Sequence, residues 1–383
     1  MKHNFDLVPS RWNTNSYKYD SAPNQEIIPL WVADMDFPTA PVVQEAILKR
    51  AQHPIFGYVK VPESFYQSTM NWFARRHGWT IPRDAFIYTS GVVPAISAII
   101  QGICKPGDKV LVQTPVYNCF FSSIRNSGCE RVDSPLIYED GTYRIDFEDF
   151  EQKASDPGVK VFLMCNPHNP AGRVWTREEL TRLGEICLKH QVFVISDEIH
   201  CELVMPGYKY TPFASLSPEF MQNSAVCISP SKSFNIAGLQ IANIIIADAQ
   251  IQQKVDKAIN INEVCDVNPF GVEALQAAYT PEGEEWLMQL NDYIAGNYEY
   301  LCAFFLQELP QFPVTKLEGT YLAWIDVRSL NESSEQLEER LMEEQKVWIN
   351  AGSMYGTEGF IRINLACPRA TLEEGLKRLK KGL

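Results

Sequence analysis

The stretch ISPSKSFNIAGLQ, residues 228–240, completes an apolar run (Ala225, Val226, Cys227, Ile228) and then places one lysine, Lys232, among Ser229, Ser231 and Ser233. The run reads as a buried strand that ends where the lysine begins. A solvated loop lysine is the ordinary reading of such a position, and a reactive amine is the other. What stands at the ends of the remaining strands decides between them.

From about residue 86 to residue 248, short apolar runs alternate with helix-like segments. The runs are Phe86–Tyr88, Val110–Val112, Val161–Met164, Val192–Ile195, Ala225–Ile228 and Ile244–Ile246. Between them, TREELTRLGEICLKH (176–190) joins a capping box, Thr176 with Glu179, to an apolar face of Leu180, Leu183, Ile186 and Cys187. Strands alternating with helices predict a mostly parallel sheet held between helices. The C-terminal part differs. LNESSEQLEERLMEEQ (330–345) predicts an exposed amphipathic helix, and FIRINLA (360–366) alternates like a half-exposed strand of a smaller α+β domain. The expected division is a large domain over 46–274, with a small domain formed by 1–45 and 275–383.

The chain has 383 residues, is 45% hydrophobic and 21% charged, and carries a formal net charge of −13, so a large core is expected. No block of basic residues accompanies that acidity, which argues against nucleic-acid or anionic-membrane binding. No apolar run approaches the ~18 residues of a membrane span, and the opening MKHNFDLVPSRWNTNSYKYD has no signal-peptide core. Ten cysteines are scattered without a C-x-x-C pair, so free thiols in a reducing cytoplasm are expected.

In open parallel sheets, ligands gather beyond the carboxyl ends of the strands. After Phe86–Tyr88 comes TSGVVPAISAII, where Ser90, Gly91 and Val92 start a helix whose free N–H groups can hold a phosphate, although many helices begin with Ser-Gly. After Val110–Val112, Tyr117 stands as either core packing or an aromatic platform. After Val161–Met164, CNPHNPAGR leaves Asn166, His168 and Asn169 beside the sheet edge. After Val192–Ile195, SDEIH brings Asp197, Glu198 and His200. Two adjacent buried carboxylates need partners, so one of them, Asp197, is expected to meet a cation. A metal around Asp197, His200 and His168 is not expected, because no third ligand has known spacing. Nicotinamide chemistry lacks its G-x-G-x-x-G. An amine, a lone carboxylate, an asparagine, an aromatic platform and a helix-borne phosphate cradle together suit pyridoxal 5′-phosphate.

The array S-G-V (90–92), T-P-V-Y (114–117), N-P-H-N-P-A-G-R (166–173), S-D-E-I-H (196–200), S-P-S-K-S-F-N (229–235) and R-I-N-L-A (362–366) resembles the fold-type I pyridoxal-phosphate enzymes of the class I/II aminotransferase superfamily. With PLWVADMDF (29–37), it is similar to the cystathionine β-lyase-like C–S lyase branch. The resemblance implies that Lys232 binds the cofactor aldehyde, Asp197 meets the pyridine nitrogen, Asn169 donates to the ring oxygen O3′ and Tyr117 stacks on the ring. It further implies that Gly91, Val92, Ser229 and Ser231 hold the phosphate, and that Arg362 grips the substrate α-carboxylate. Tyr58 matches a tyrosine reaching the phosphate from the second subunit of a homodimer. His200 replaces a tyrosine common in aminotransferases, and contact with O3′ is open. Gln240 replaces an arginine that commonly binds the phosphate. Trp31 and Tyr321 are expected only to line hydrophobic surface.

The activity so implied is cleavage of cystathionine or a related cysteine S-conjugate to a thiol, pyruvate and ammonia. An aminotransferase on the same scaffold and a pyridoxal-phosphate-binding regulatory protein are the alternatives.

Overall fold

The computed structural model describes residues 2–261 and 266–383, so Cys265 lies outside the described residues. Its central sheet contains β1 (Phe86–Thr89), β2 (Lys109–Val112), β3 (Glu130–Asp133), β4 (Val159–Cys165), β5 (Phe193–Asp197), β6 (Ser224–Ile228) and β7 (Ala242–Ile246). The strand order is β1-β7-β6-β5-β4-β2-β3, and β7 alone runs antiparallel to its neighbours. Each expected apolar run falls in one of these strands, with Val192 just before the start of β5. The central strands β5, β6 and β7 are buried at every residue, as near-continuous apolar strands must be when helices cover both faces. β3 was not anticipated: its sequence, ERVD, is polar and half-exposed, which an edge strand tolerates.

The helices follow from their local sequence. α1 (Val92–Ile103) turns Val92, Ile96, Ile99 and Ile100 into the core. α2 (Arg177–Lys189) begins with the expected capping box, in which the Thr176 hydroxyl accepts from Glu179 N–H and the Glu179 carboxylate accepts from Thr176 N–H. α3 (Ala249–Asn260) lies against α1 at Gly102, where a Cβ would stand 3.1 Å from the Lys254 backbone.

Register sets the position of the site. Cys165 pairs with Asp197 across β4 and β5, and Asp197 with Cys227 across β5 and β6, so these strand ends are level. Because β7 is antiparallel, it starts where its neighbours finish. Thr89 at the end of β1 therefore pairs with Ala242 at the start of β7, and the Ser90–Val92 turn meets the return of the Lys232 loop.

A second, antiparallel sheet joins β8 (Leu322–Asp326), β9 (Asn350–Ala351) and β10 (Phe360–Asn364) in the order β8-β10-β9. Helix α4 (Ser334–Gln345) presents a polar outer face and buries Leu337 and Leu341. The half-exposed reading of FIRINLA is corrected, since all five residues of β10 are buried. Its polar face meets the N-terminal segment instead of water. There Asn364 Nδ2 donates to the carbonyls of Val32 at 2.6 Å and Asp34 at 2.7 Å. The same segment pairs Ile28–Pro29 in parallel with Val347–Trp348. Residues 46 and 274, the expected domain limits, fall inside the helices Pro41–Ala51 and Pro269–Ala278. Among the described residues no helix is long and apolar enough to cross a membrane.

Candidate active site

At the level strand ends lies a cavity of about 280 Å³. Its wall includes Gly91, Val92, Tyr117, Asn169, Asp197, His200, Ser231 and Lys232, so eight residues anticipated from sequence face one space. Ser90, Cys165, Gln240 and the backbone around Ala33 complete its outline.

Asp197 is the electrostatic centre. It is buried, and its Oδ1 accepts one hydrogen bond, from Ile199 N–H at 3.1 Å. No ion pair forms to it among the described residues. Burial therefore pushes its pKa up to about 7, against the opposing pull of that hydrogen bond and of the Lys232 charge. Burial also pushes the neighbouring Glu198 up to about 7, but Glu198 has more hydrogen-bond partners. Its carboxylate accepts from Ser196 Oγ at 2.8 Å, Phe213 N–H at 3.0 Å and the Tyr210 hydroxyl, and it faces the scaffold. The expectation that one carboxylate would be left seeking a cation thus falls on Asp197.

Lys232 is half-buried, and its Nζ donates to the Ala33 carbonyl at 2.6 Å. Burial lowers its pKa, and the charge of Arg362 adds to this, while Asp34 and Asp197 oppose it. His200 is buried and pushed down to about 3, mainly by burial and further by Lys232 and Arg362, so its ring is neutral. Its Nδ1 has no hydrogen-bond partner among the described residues. Burial raises the Tyr117 pKa, so the ring remains an uncharged phenol.

Arg362 is not in the cavity wall but directly behind Asn169. Its Nη1 donates to Asn169 Oδ1 at 3.2 Å and its Nη2 to the Trp31 carbonyl at 2.8 Å, while Nε is buried with no partner among the described residues. The guanidinium also lies over the Tyr355 ring at 4.8 Å. A buried guanidinium with an unspent N–H suits a carboxylate ligand.

Three anticipated residues stand elsewhere. Ser229 is buried with its hydroxyl donating to Ile241 O at 2.5 Å and accepting from Ser231 N–H at 3.1 Å, so it ties the loop ends together rather than facing the cavity. Tyr58 is 93% exposed and takes no part in the cavity of its own chain. His168 is fully buried beside Trp175, away from the cavity wall, so it does not join Asp197 and His200.

Sequence reasoning missed the Ala33 carbonyl and Tyr321. The Tyr321 hydroxyl donates to Ala33 O at 3.0 Å, next to the Lys232 amine, which corrects its assignment to hydrophobic lining. A backbone carbonyl leaves no mark in residue identity. The only available signal was a tyrosine directly preceding a strand.

The residues fit pyridoxal 5′-phosphate on the geometry alone. An amine and a buried carboxylate lacking a cation share one cavity, with an aromatic ring in its wall. At one end, the first N–H groups of α1, which have no helical partners, offer a phosphate site beside Ser231.

Comparison with known proteins agrees. The family model described as aminotransferase class I and II matches residues 25–379. Cystathionine beta-lyase PatB of Bacillus subtilis is 42% identical over 386 residues, covering 99% of this chain and 100% of that protein. A PLP-bound putative aminotransferase from Clostridium difficile superimposes with a TM-score of 0.96 at 41% identity, covering 100% of both chains. Cystalysin from Treponema denticola, solved with a pyridoxal 5′-phosphate cofactor, has a TM-score of 0.96 at 35% identity, covering 100% of this chain and 99% of its own.

Proposed function

Because this chain belongs to the class I and II aminotransferase family, we propose that it is a pyridoxal 5′-phosphate-dependent carbon–sulfur β-lyase. It cleaves cystathionine or a related cysteine S-conjugate to a thiol, pyruvate and ammonia. The observation that carries this reading is the pairing of Lys232 with a buried, cation-free Asp197 in one cavity, on a chain alike over its full length to a cystathionine β-lyase.

When bound, the cofactor supplies an aldehyde for the amine and a protonated ring that takes up the electron pair released at Cα. The chain does the rest. Asp197 would keep the proton on the cofactor's ring nitrogen, and a cation there would lower the carboxyl's own pKa again. Tyr117, Asn169 and neutral His200 line the cavity and would hold the cofactor ring, and the α1 amides with Ser231 would hold its phosphate. Arg362, with its Nε free of a partner among the described residues, would bind the substrate carboxylate and so orient the substrate. Burial favours the neutral form of the Lys232 amine, the form that would accept the Cα proton. The thiolate then leaves from Cβ as a stable anion.

A second reading, aminotransfer, is favoured by the likeness to the Clostridium difficile protein. Purified protein mixed with cystathionine and no keto acid separates the two. A lyase forms pyruvate and thiol over many turnovers, and a transaminase stops after one.

The working unit we propose is a homodimer, with Tyr58 of each chain reaching the other's phosphate site. The exposed apolar side chains of Ile55, Phe56, Tyr58 and Ile261 support it. The nine free cysteines among the described residues fit a reducing cytoplasm. We propose a large domain over about 46–274 and a small domain from 1–45 and 275–383, although both limits fall inside helices.

A further inference from the structure

Residues 31–36 run as an irregular strap whose Ala33 lines the cavity, and the carbonyls of residues 31–35 are each claimed by a side chain. Trp31 O accepts from Arg362 and from Asn350 at 3.0 Å, Val32 O and Asp34 O from Asn364, and Met35 O from Asn235 at 3.0 Å. Ala33 is the exception in kind. Its carbonyl accepts from the Lys232 amine at 2.6 Å and from the Tyr321 hydroxyl at 3.0 Å.

We propose that the Ala33 carbonyl is the resting place of the Lys232 amine whenever the cofactor does not engage it, and that Tyr321 is the positioning residue that aims this carbonyl. The inference rests on the functional reading above and deepens it.

A lysine that lets go of the cofactor when substrate arrives swings on a four-carbon stem. Left free, it samples rotamers that take its nitrogen away from Cα. A fixed acceptor beside the cavity confines it. Tyr321 is suited to fix that acceptor because it is fully buried, its ring packs edge-on to His200 at 5.9 Å, and its hydroxyl has one direction to point. Burial also raises the Tyr321 pKa, so the hydroxyl remains a donor throughout the working range. The two donors share one oxygen. Removing the hydroxyl leaves that oxygen wholly to the ammonium, which favours the charged amine.

The test is Tyr321→Phe, which keeps the ring. In cofactor-stripped protein, labelling of Lys232 by 1-fluoro-2,4-dinitrobenzene is followed against pH by peptide mass spectrometry. The midpoint should move up by about half a pH unit. In loaded enzyme, kcat for cystathionine should fall about tenfold with KM within about twofold, because orientation is lost and binding is not. A fall in kcat without the labelling shift, or the shift without the fall, overturns the proposal, as does a variant equal to its parent. Should the variant fail to fold, a crystal structure of the parent loaded with cofactor and glycine decides. The Lys232 nitrogen within hydrogen-bond reach of Ala33 O upholds the proposal, and any other position overturns it. A parent with no violet-absorbing chromophore and no lyase activity sinks the functional reading and this inference together. A parent active by both measures isolates the inference.

Discussion

Asp197 is held where its charge is unwelcome until a cation arrives. Its pKa moves from 3.8 to about 7 in the folded, cofactor-free chain. Between those values the folded chain keeps a proton that the unfolded chain has released, so this residue's contribution to stability falls as pH rises and is flat above the upper value. Asp197→Asn removes a charge that must otherwise be buried. Calorimetry on cofactor-free protein should find the variant more stable than its parent at about pH 8, by at most ~4 kcal/mol, and the two converging near pH 4. The same variant should lose about a hundredfold or more in kcat once loaded, since the ring nitrogen no longer faces a carboxylate. Arg362→Lys keeps the charge but not the fork, and should raise KM for cystathionine about tenfold or more in steady-state assays. Lys232, Asp197 and Asn169 could be singled out because each lies within five residues of the end of an apolar run, and a strand end is a place with known chemistry. Ser229 was misplaced because residue type cannot say whether a hydroxyl faces a ligand or its own loop. Ala33 acts through its backbone, from a segment 199 positions away from Lys232 in sequence.

The element that links site and scaffold is β10. It places Arg362 behind Asn169, and two residues on it places Asn364 under the strap. Asn364→Ala would leave the Val32 carbonyl and the Ala366 N–H without the partner they have in the parent, and the Asp34 carbonyl with Lys18 alone. The expected loss is about 2–4 kcal/mol in urea unfolding, with a raised KM as the strap loosens. The alternation of β10 was read correctly from sequence and its surroundings were not. Period two tells that two faces differ, and here the polar one meets other polar protein. β3 escaped notice for the converse reason, because an edge strand with a solvated face has no apolar run to betray it. The parallel core was legible because strands covered on both sides need an unbroken apolar sequence. The reversed direction of β7 was not, since pairing direction leaves no trace in composition.

At the scale of the molecule, the proposed dimer makes a quantitative claim. Tyr58→Ala and Lys232→Ala each damage every site of their own homodimer. In a hybrid, one site receives Lys232 from one chain and Tyr58 from the other, and is whole. Unfolding and refolding the two variants together should therefore recover roughly a quarter of parent activity, and refolding them apart should recover none of it. Activity no greater than the separate sum would place Tyr58 outside the neighbouring site. The order of strands has a further consequence, for the time at which the protein comes into being. β1 is bonded only to β7, so the segment that begins α1 has no neighbour in the sheet until Ile246 has left the ribosome. The phosphate cradle is among the first parts of the sheet to be synthesised and among the last to be assembled. A nascent chain arrested before that point carries the lysine and the aspartate yet has no floor on which the vitamin can settle, so cofactor capture belongs to the finished polypeptide.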